Sequence, residues 1–363
     1  MPTPRSSIAT SARRRNTPTA NRRFPAEWEA HQATWIAWPH HEPDWPGKLD
    51  AVHWVYAEIA RVLAEHELVQ MLCHSEAALA RAQAMLAAHG VTRNVKLHVV
   101  PTDRVWLRDS APTSVMRPDG SIELVDWHFN AWAKYDNYAR DQKVGAAMER
   151  ITGLHRVDAK RTDGQPLVLE GGAIDTDGRG TLLVTEECLL SDVQVRNPGM
   201  TRQEYERAFG DWLGIRKTIW LGEGCVGDDT HGHVDDIARF AAPDVILLAY
   251  EEDPADENHL RSKDNLKRLQ AAGGRKGDFT VIKMPFPRPV MMNGERLPAS
   301  YANFYIANGL VIVPTFNDPN DRVALNILTE IFPDHRVVGI HAVDLVWGLG
   351  TLHCLTQQQP RGK

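Results

Sequence analysis

The chain has 363 residues, 43% of them hydrophobic and 24% charged, with a formal net charge of −6. That is enough apolar material for a sizeable core, in one large domain or two ordinary ones. The acidic balance argues against a dedicated nucleic-acid binder, and no run approaches the roughly 20 apolar residues that span a bilayer, so neither nucleic acid nor membrane is an expected partner.

Residues 1–23 stand apart. They carry Arg5, Arg13, Arg14, Arg15, Arg22 and Arg23 among Ser, Thr and Pro, with no acidic residue. This composition predicts a disordered basic tail. No apolar segment follows the arginines, so a secretory signal is not expected. From Phe24 onward there is no Pro/Gly/Ser-rich linker long enough to mark a domain boundary.

Apolar spacing then predicts, in chain order, a helix over 53–66, a strand over 67–72, a helix over 76–89 and strands over 95–100 and 181–185. A helix over 202–213 follows, then strands over 237–240, 245–250 and 310–314, a helix over 323–331 and a strand over 337–340. The alternation argues for an α/β fold. Three of the strands run into a polar exit in the same way: LVTEE (183–187), LAYEE (248–252) and VPTFND (313–318). This hints at internal repetition, weakly, since strands commonly end in turn residues.

Several familiar chemistries are unsupported. There is no GxGxxG after a strand and no GxxxxGK[ST], so no nucleotide cofactor is expected. The four cysteines, Cys73, Cys188, Cys225 and Cys354, form no CxxC pair, which removes zinc-knuckle and dithiol motifs. Their low number suits a reducing, cytoplasmic compartment.

Four segments could carry chemistry. VWLRDSAP (105–112) presents Trp106, Arg108 and Asp109 beyond a strand. LVLEGG (167–172) reads as an apolar strand ending on Glu170 and two glycines. An ordinary salt bridge at a strand exit is the plain reading of both. GDDTHGHVDD (227–236) is the densest polar cluster and supports two sharper readings. His231, His233 and Asp235 approach the ligand run of a zinc hydrolase. Alternatively, on a strand His233 and Asp235 share a face, so an imidazole could move protons while a carboxylate holds a cation. The C-terminal WGLGTLHCLTQQQP (347–360) sets Cys354 behind a glycine-rich bend, with a polar run that suggests an opening rather than core. A buried, inert thiol is the reading for Cys73, Cys188 and Cys225. Cys354 is the candidate nucleophile.

Together WLRDSAP, LEGG, GHVDD and HCLTQQQP resemble the agmatine deiminase family, which includes bacterial peptidylarginine deiminases. LPASYANFY (297–305) and FNAW (129–132) match as well, and the resemblance runs from about Phe24 to Pro360. It implies a single catalytic domain over 24–360 with a pentein fold, five ββαβ-type modules around a pseudo-fivefold axis. It also implies hydrolysis of a guanidinium without cofactor or metal, with agmatine as substrate, N-carbamoylputrescine and ammonia as products, and a place in polyamine metabolism. Peptidylarginine or free arginine are the alternative substrates within the family. The resemblance leaves room for a homo-oligomer. Carried over by motif, Cys354 is the nucleophile and His233 the general acid/base. Asp109 and Asp235 clasp the guanidinium, Glu170 orients His233, and Trp106 lines the substrate site. Asp229, four residues before His233, is the candidate for a distal ammonium. Arg108 faces away from the pocket if its segment is extended. The sequence departs from the common family pattern at His231, at Ala133-Lys134 and at Ala173.

Overall fold

The structure is a computed structural model that describes residues 21–273 and 277–363. Its fold is mixed α/β, and its largest sheets repeat one plan. In each of four sheets a strand pairs antiparallel with the next, which pairs parallel with a third reached through a helix. These sheets are Thr113–Met116, Ile122–Asp126 and His155–Asp158; Asp175–Thr176, Thr181–Thr185 and Lys217–Leu221; Ala238–Ala242, Val245–Ala249 and Thr280–Met284; and Tyr305–Ala307, Leu310–Thr315 and Arg336–His341. A parallel return needs a long crossover, supplied by helices Val144–Thr152, Arg202–Leu213, Asn258–Ala272 and Pro319–Ile331.

The fifth sheet joins the chain's two ends. Gln357–Pro360 pairs antiparallel with His31–Ala37, which continues parallel to Leu68–Cys73 and then Val95–Val99. Helices Leu49–Ala64 and Glu76–Ala88 make these two crossovers. The small ribbon Met291–Met292 and Glu295–Arg296 stands outside the plan.

The local reasons are legible. Middle strands such as VILLA at Val245–Ala249 are continuous apolar runs because a neighbour flanks each edge and both faces are covered. Arg202–Leu213 starts on a capping box, with the Thr201 side chain on the Glu204 amide and the Glu204 carboxylate returning to Thr201. The three strands with similar acidic or polar exits are the middle strands of three different sheets, so that repetition is structural.

Most predicted elements stand within a few residues of their expected bounds. Four expectations need correction. The polar run after Cys354 is no opening: Gln357–Pro360 is a buried strand, its glutamines satisfied by Trp35 and Arg108. Residues 167–169 form no strand, only an isolated bridge between His128 and Val168. The strand after the acidic cluster begins at Ala238, leaving His233 and Asp235 on a 3-10 turn. Arg108 sits in a short helix, Leu107–Ser110, rather than an extended segment. The expected basic tail lies outside the described residues up to position 20. Arg22 and Arg23 are anchored, Arg22 to buried Glu123 at 2.6 Å and Arg23 by backbone pairing with Met116. No helix among the described residues is long and apolar enough to cross a membrane.

Candidate active site

A short helical turn precedes the first strand of every one of these five sheets: Leu107–Ser110, Gly171–Ala173, Val234–Asp236, Tyr301–Asn303 and Leu352–Leu355. Each turn touches the next in this order, and the fifth touches the first. The ring gathers Asp109, Glu170, His233, Asp235, Asn303 and Cys354, all buried.

His233 lies between two carboxylates. Its Nδ1 is 3.8 Å from Asp109 Oδ1 and its Nε2 3.9 Å from Glu170 Oε2. No partner reaches either ring nitrogen, or Glu170 Oε2, at hydrogen-bond distance. Asp228 holds the loop by accepting from the amides of Thr230, Gly232 and His233. Burial opposes charge on the imidazole, but Asp109, with Cys188 and Glu170 beside it, outweighs that and holds the His233 pKa well above its ordinary value. Glu170 is itself pushed down to about 2: burial would raise it, but Arg196, whose Nε donates to Oε1 at 2.9 Å, and His233 prevail.

Asp109 Oδ1 accepts from the Gly172 amide at 3.0 Å and Oδ2 from Trp132 Nε1 at 2.9 Å. Burial, with Asp235 and Glu170 nearby, lifts it to about 6 despite His233. The two glycines after Glu170 are there for close approach. A Cβ on Gly172 would stand 2.5 Å from His233 Nδ1, and one on Gly171 2.2 Å from the Arg108 carbonyl. Trp132 reaches Asp109 from three consecutive left-handed residues, Ala131, Trp132 and Ala133, a strained arrangement for non-glycine residues.

Cys354 Sγ faces Asp235 Oδ2 at 3.7 Å and receives Asn303 Nδ2 at 3.1 Å. Asn303 also donates to Asp236, and its carbonyl takes the Thr351 hydroxyl and the His353 amide. Burial and the three carboxylates Asp235, Asp236 and Asp109 raise the Cys354 pKa well above that of a free thiol. His353 bridges Asp235 Oδ2 at 2.7 Å and Glu27 Oε2 at 2.8 Å. Both partners are carboxylates, so each ring nitrogen of His353 faces an acidic oxygen. The bridge leaves Asp235 Oδ1 buried and unpartnered.

A cavity of about 240 Å³ opens onto this ring. Cys354, Asp109, Trp106, Trp132, Tyr135, Asp44 and Asp229 line it. Trp106 packs on Trp45 at a ring separation of 5.6 Å, against the glycine bend that leads to Cys354. Asp229 borders the cavity with both oxygens engaged, Oδ1 by Lys134 Nζ and Oδ2 by the Tyr135 hydroxyl at 2.7 Å. Arg108 leaves the cavity and pairs with Glu27, Gln357 and Gln358.

The zinc set read from the sequence is not assembled. His231 Nε2 contacts Ser191 Oγ at 2.9 Å and lines a separate surface groove with Glu187 and Arg261. His233 lies instead with Glu170 and Cys188, and Asp235 with Asp236 and Cys354. Cys73 and Cys225 are buried, and burial pushes Cys73 up to about 12 and Cys225 well above the ordinary thiol range. Cys188 is buried too, in the apolar core with Leu189 and Phe209, and its sulfur also lies beside His233 and Glu170. Glu27, His353, Asn303 and Arg196 were not singled out by sequence. Asn303 and His353 lie inside the motifs LPASYANFY and HCLTQQQP, whereas nothing local marks Glu27.

Fold and site thus define a protein with a thiol and a carboxylate, Cys354 and Asp109, on one small aromatic cavity, and with His233, Glu170 and Asp235 buried in the ring of turns outside its lining. The family model of Porphyromonas-type peptidyl-arginine deiminases matches residues 23–360, and the chain belongs to that family. It is 37% identical to the agmatine deiminase of Ectopseudomonas mendocina, over 93% of this chain and 95% of that one. Among solved structures, it is similar to the agmatine deiminase of Enterococcus faecalis described as catalysing its reaction (31% identity, TM-score 0.86, 95% of this chain and 98% of that one). It is also similar to a C. jejuni agmatine deiminase, a Cys-to-Ser variant with substrate bound (27% identity, TM-score 0.83, 94% and 97% covered).

Proposed function

We propose that this chain is an agmatine deiminase, converting agmatine and water to N-carbamoylputrescine and ammonia. The observation that carries this reading is the meeting of Cys354 and Asp109 on one aromatic cavity, with His233 fixed between Asp109 and Glu170. Guanidinium is a poor electrophile because its charge is delocalised. Asp109 and the free Oδ1 of Asp235 fix that charge and hold the central carbon near sulfur. The substrate's own cation offsets the three carboxylates that keep Cys354 protonated, so binding generates the thiolate. Thiolate attack forms the C–S bond and a tetrahedral adduct. The His233 imidazolium protonates the departing nitrogen, ammonia leaves, and a thiouronium remains on Cys354. His233, now neutral, takes a proton from water, which adds to the same carbon. Cleavage of C–S restores the thiolate, the adduct's hydroxyl proton passes to solvent as the C=O forms, and the ureido product leaves.

The same reading takes the five sheets as modules of a pentein propeller about a pseudo-fivefold axis, with residues 24–360 as one catalytic domain. The repeated strand plan and the closed ring of turns support it. Ammonia release against agmatine, free arginine and a C-terminal-arginine peptide tests the function. Agmatine is expected to give the highest kcat/KM, and a peptide preference would move the assignment to protein-arginine deimination.

A further inference from the structure

We propose that Asn303 is a further catalytic residue: its side-chain amide aims the Cys354 sulfur and donates to it once the thiol has ionised. The role rests on the guanidine-hydrolase reading of that site. Asn303 ends the fourth turn of the ring, Tyr301–Asn303, and is fully buried. Its Nδ2 donates to Cys354 Sγ at 3.1 Å and to Asp236 Oδ1 at 3.0 Å. A primary amide carries two N–H groups, so one serves the sulfur and the other the carboxylate. Its Oδ1 accepts from the Thr351 hydroxyl at 2.7 Å, the His353 amide at 3.0 Å and the Cys354 amide at 3.4 Å. A backbone N–H can only donate, so the oxygen must face residues 351–354 and the nitrogen must face Asp236 and the sulfur. The fold thus leaves the amide one orientation, with an N–H on the nucleophile.

These contacts join three successive turns of the ring. Asp236 lies in the third, Asn303 in the fourth and Cys354 in the fifth. Asn303 therefore fixes the backbone of the nucleophile as well as its sulfur. The surroundings explain why a neutral donor matters here. Asp235 Oδ2 is 3.7 Å from Sγ, a carboxylate oxygen of Asp236 lies within 4.8 Å, and Asp109 adds to the negative field. From helix Leu49–Ala64, Tyr56 stands in the same field. All four groups are acids, and none favours a negative sulfur. Among the described residues, Asn303 is the one side chain that donates a hydrogen bond to Sγ. A hydrogen bond to an ionised acceptor is roughly twice as strong as one to a neutral group. The Asn303 contact therefore strengthens as the proton leaves Cys354, which a purely structural strut would not do.

The test follows iodoacetamide alkylation of Cys354 against pH, located by peptide mass, in wild type and Asn303→Ala, beside turnover of agmatine. Cys354 lines the cavity and is open to the reagent. Loss of the donor should raise the half-maximal pH of alkylation by about one unit or more. It should also lower kcat by roughly 10- to 100-fold, with KM moving far less. Asn303→Asp keeps the shape and the oxygen that faces Thr351 and His353, but sets a second oxygen towards the sulfur. It should move the alkylation profile in the same direction, and it decides the matter if the alanine variant does not fold. An unmoved profile in a variant that folds by circular dichroism overturns the proposal. So does kcat within twofold of wild type, and so does a rise in KM alone, which would make Asn303 a substrate-binding residue. The alkylation profile needs no substrate. If wild-type enzyme turns over no guanidine, the functional reading fails, and the profile still shows whether Asn303 supports the thiolate.

Discussion

His231 and His233 stand two residues apart and end in different chemical worlds. His233 is fully buried between Asp109 and Glu170, both ring nitrogens unpartnered. His231 lies in an open groove, bonded to Ser191 and 3.8 Å from Glu187. The backbone separates them: His231 has φ of 64° and Gly232 of 93°, so the chain reverses instead of alternating as a strand would. Residue type and spacing made both candidates for a metal site, and His233 alone a candidate for moving protons. The turn, fixed by Asp228 accepting from Thr230, Gly232 and His233, makes one central and the other peripheral.

The largest effects should fall on the central ring. Cys354→Ala should lower kcat by about 10⁴-fold or more, since no other group can form the covalent intermediate. Turnover at a tenth of the wild-type rate would sink the covalent route, and quenching a slow substrate should leave a mass adduct on Cys354 alone. His233→Gln should cost roughly 10²–10⁴-fold in kcat with its fold intact by circular dichroism.

Asp109→Asn should lose kcat/KM by roughly 2–5 kcal/mol, because a desolvated partner of the guanidinium becomes neutral. The same residue predicts a pH limb. Asp109 is raised to about 6, so in free enzyme it gains a proton below that pH and loses the charge that holds the cation. The kcat/KM profile should fall on the acid side near pH 6, and this limb should vanish in Asp109→Asn. A limb unaltered in the variant would assign it elsewhere.

His353→Phe sharpens the contrast between touching substrate and positioning it. The variant removes the bridge from Glu27 to Asp235 and frees Asp235 to rotate, which should cost on the order of 10²-fold in kcat/KM. It should also raise the pH at which iodoacetamide alkylates Cys354. The smallest effect is expected at the peripheral histidine. His231→Gln should stay within about twofold of wild type, as partly exposed pairs contribute about 0–1 kcal/mol. Activity lost on chelation and restored by zinc would reverse the ranking of the two histidines.

The sequence by itself determined the α/β alternation, most element positions, and the segments that hold Cys354, His233, Asp235, Asp109 and Glu170. Periodicity is a local property, and a four-motif resemblance fixes residue identities without geometry. The structure alone decided what those residues face. The polar run after Cys354 was readable as an opening because glutamines are usually exposed, yet it forms a strand beside His31–Ala37, with Trp35 and Arg108 satisfying its amides. Glu27 is 326 residues from His353 and 212 from Arg239, and no local pattern could join them. Such partnerships are settled by the neighbours that tertiary packing brings together, because hydrogen-bond satisfaction of a buried group depends on what the fold sets beside it.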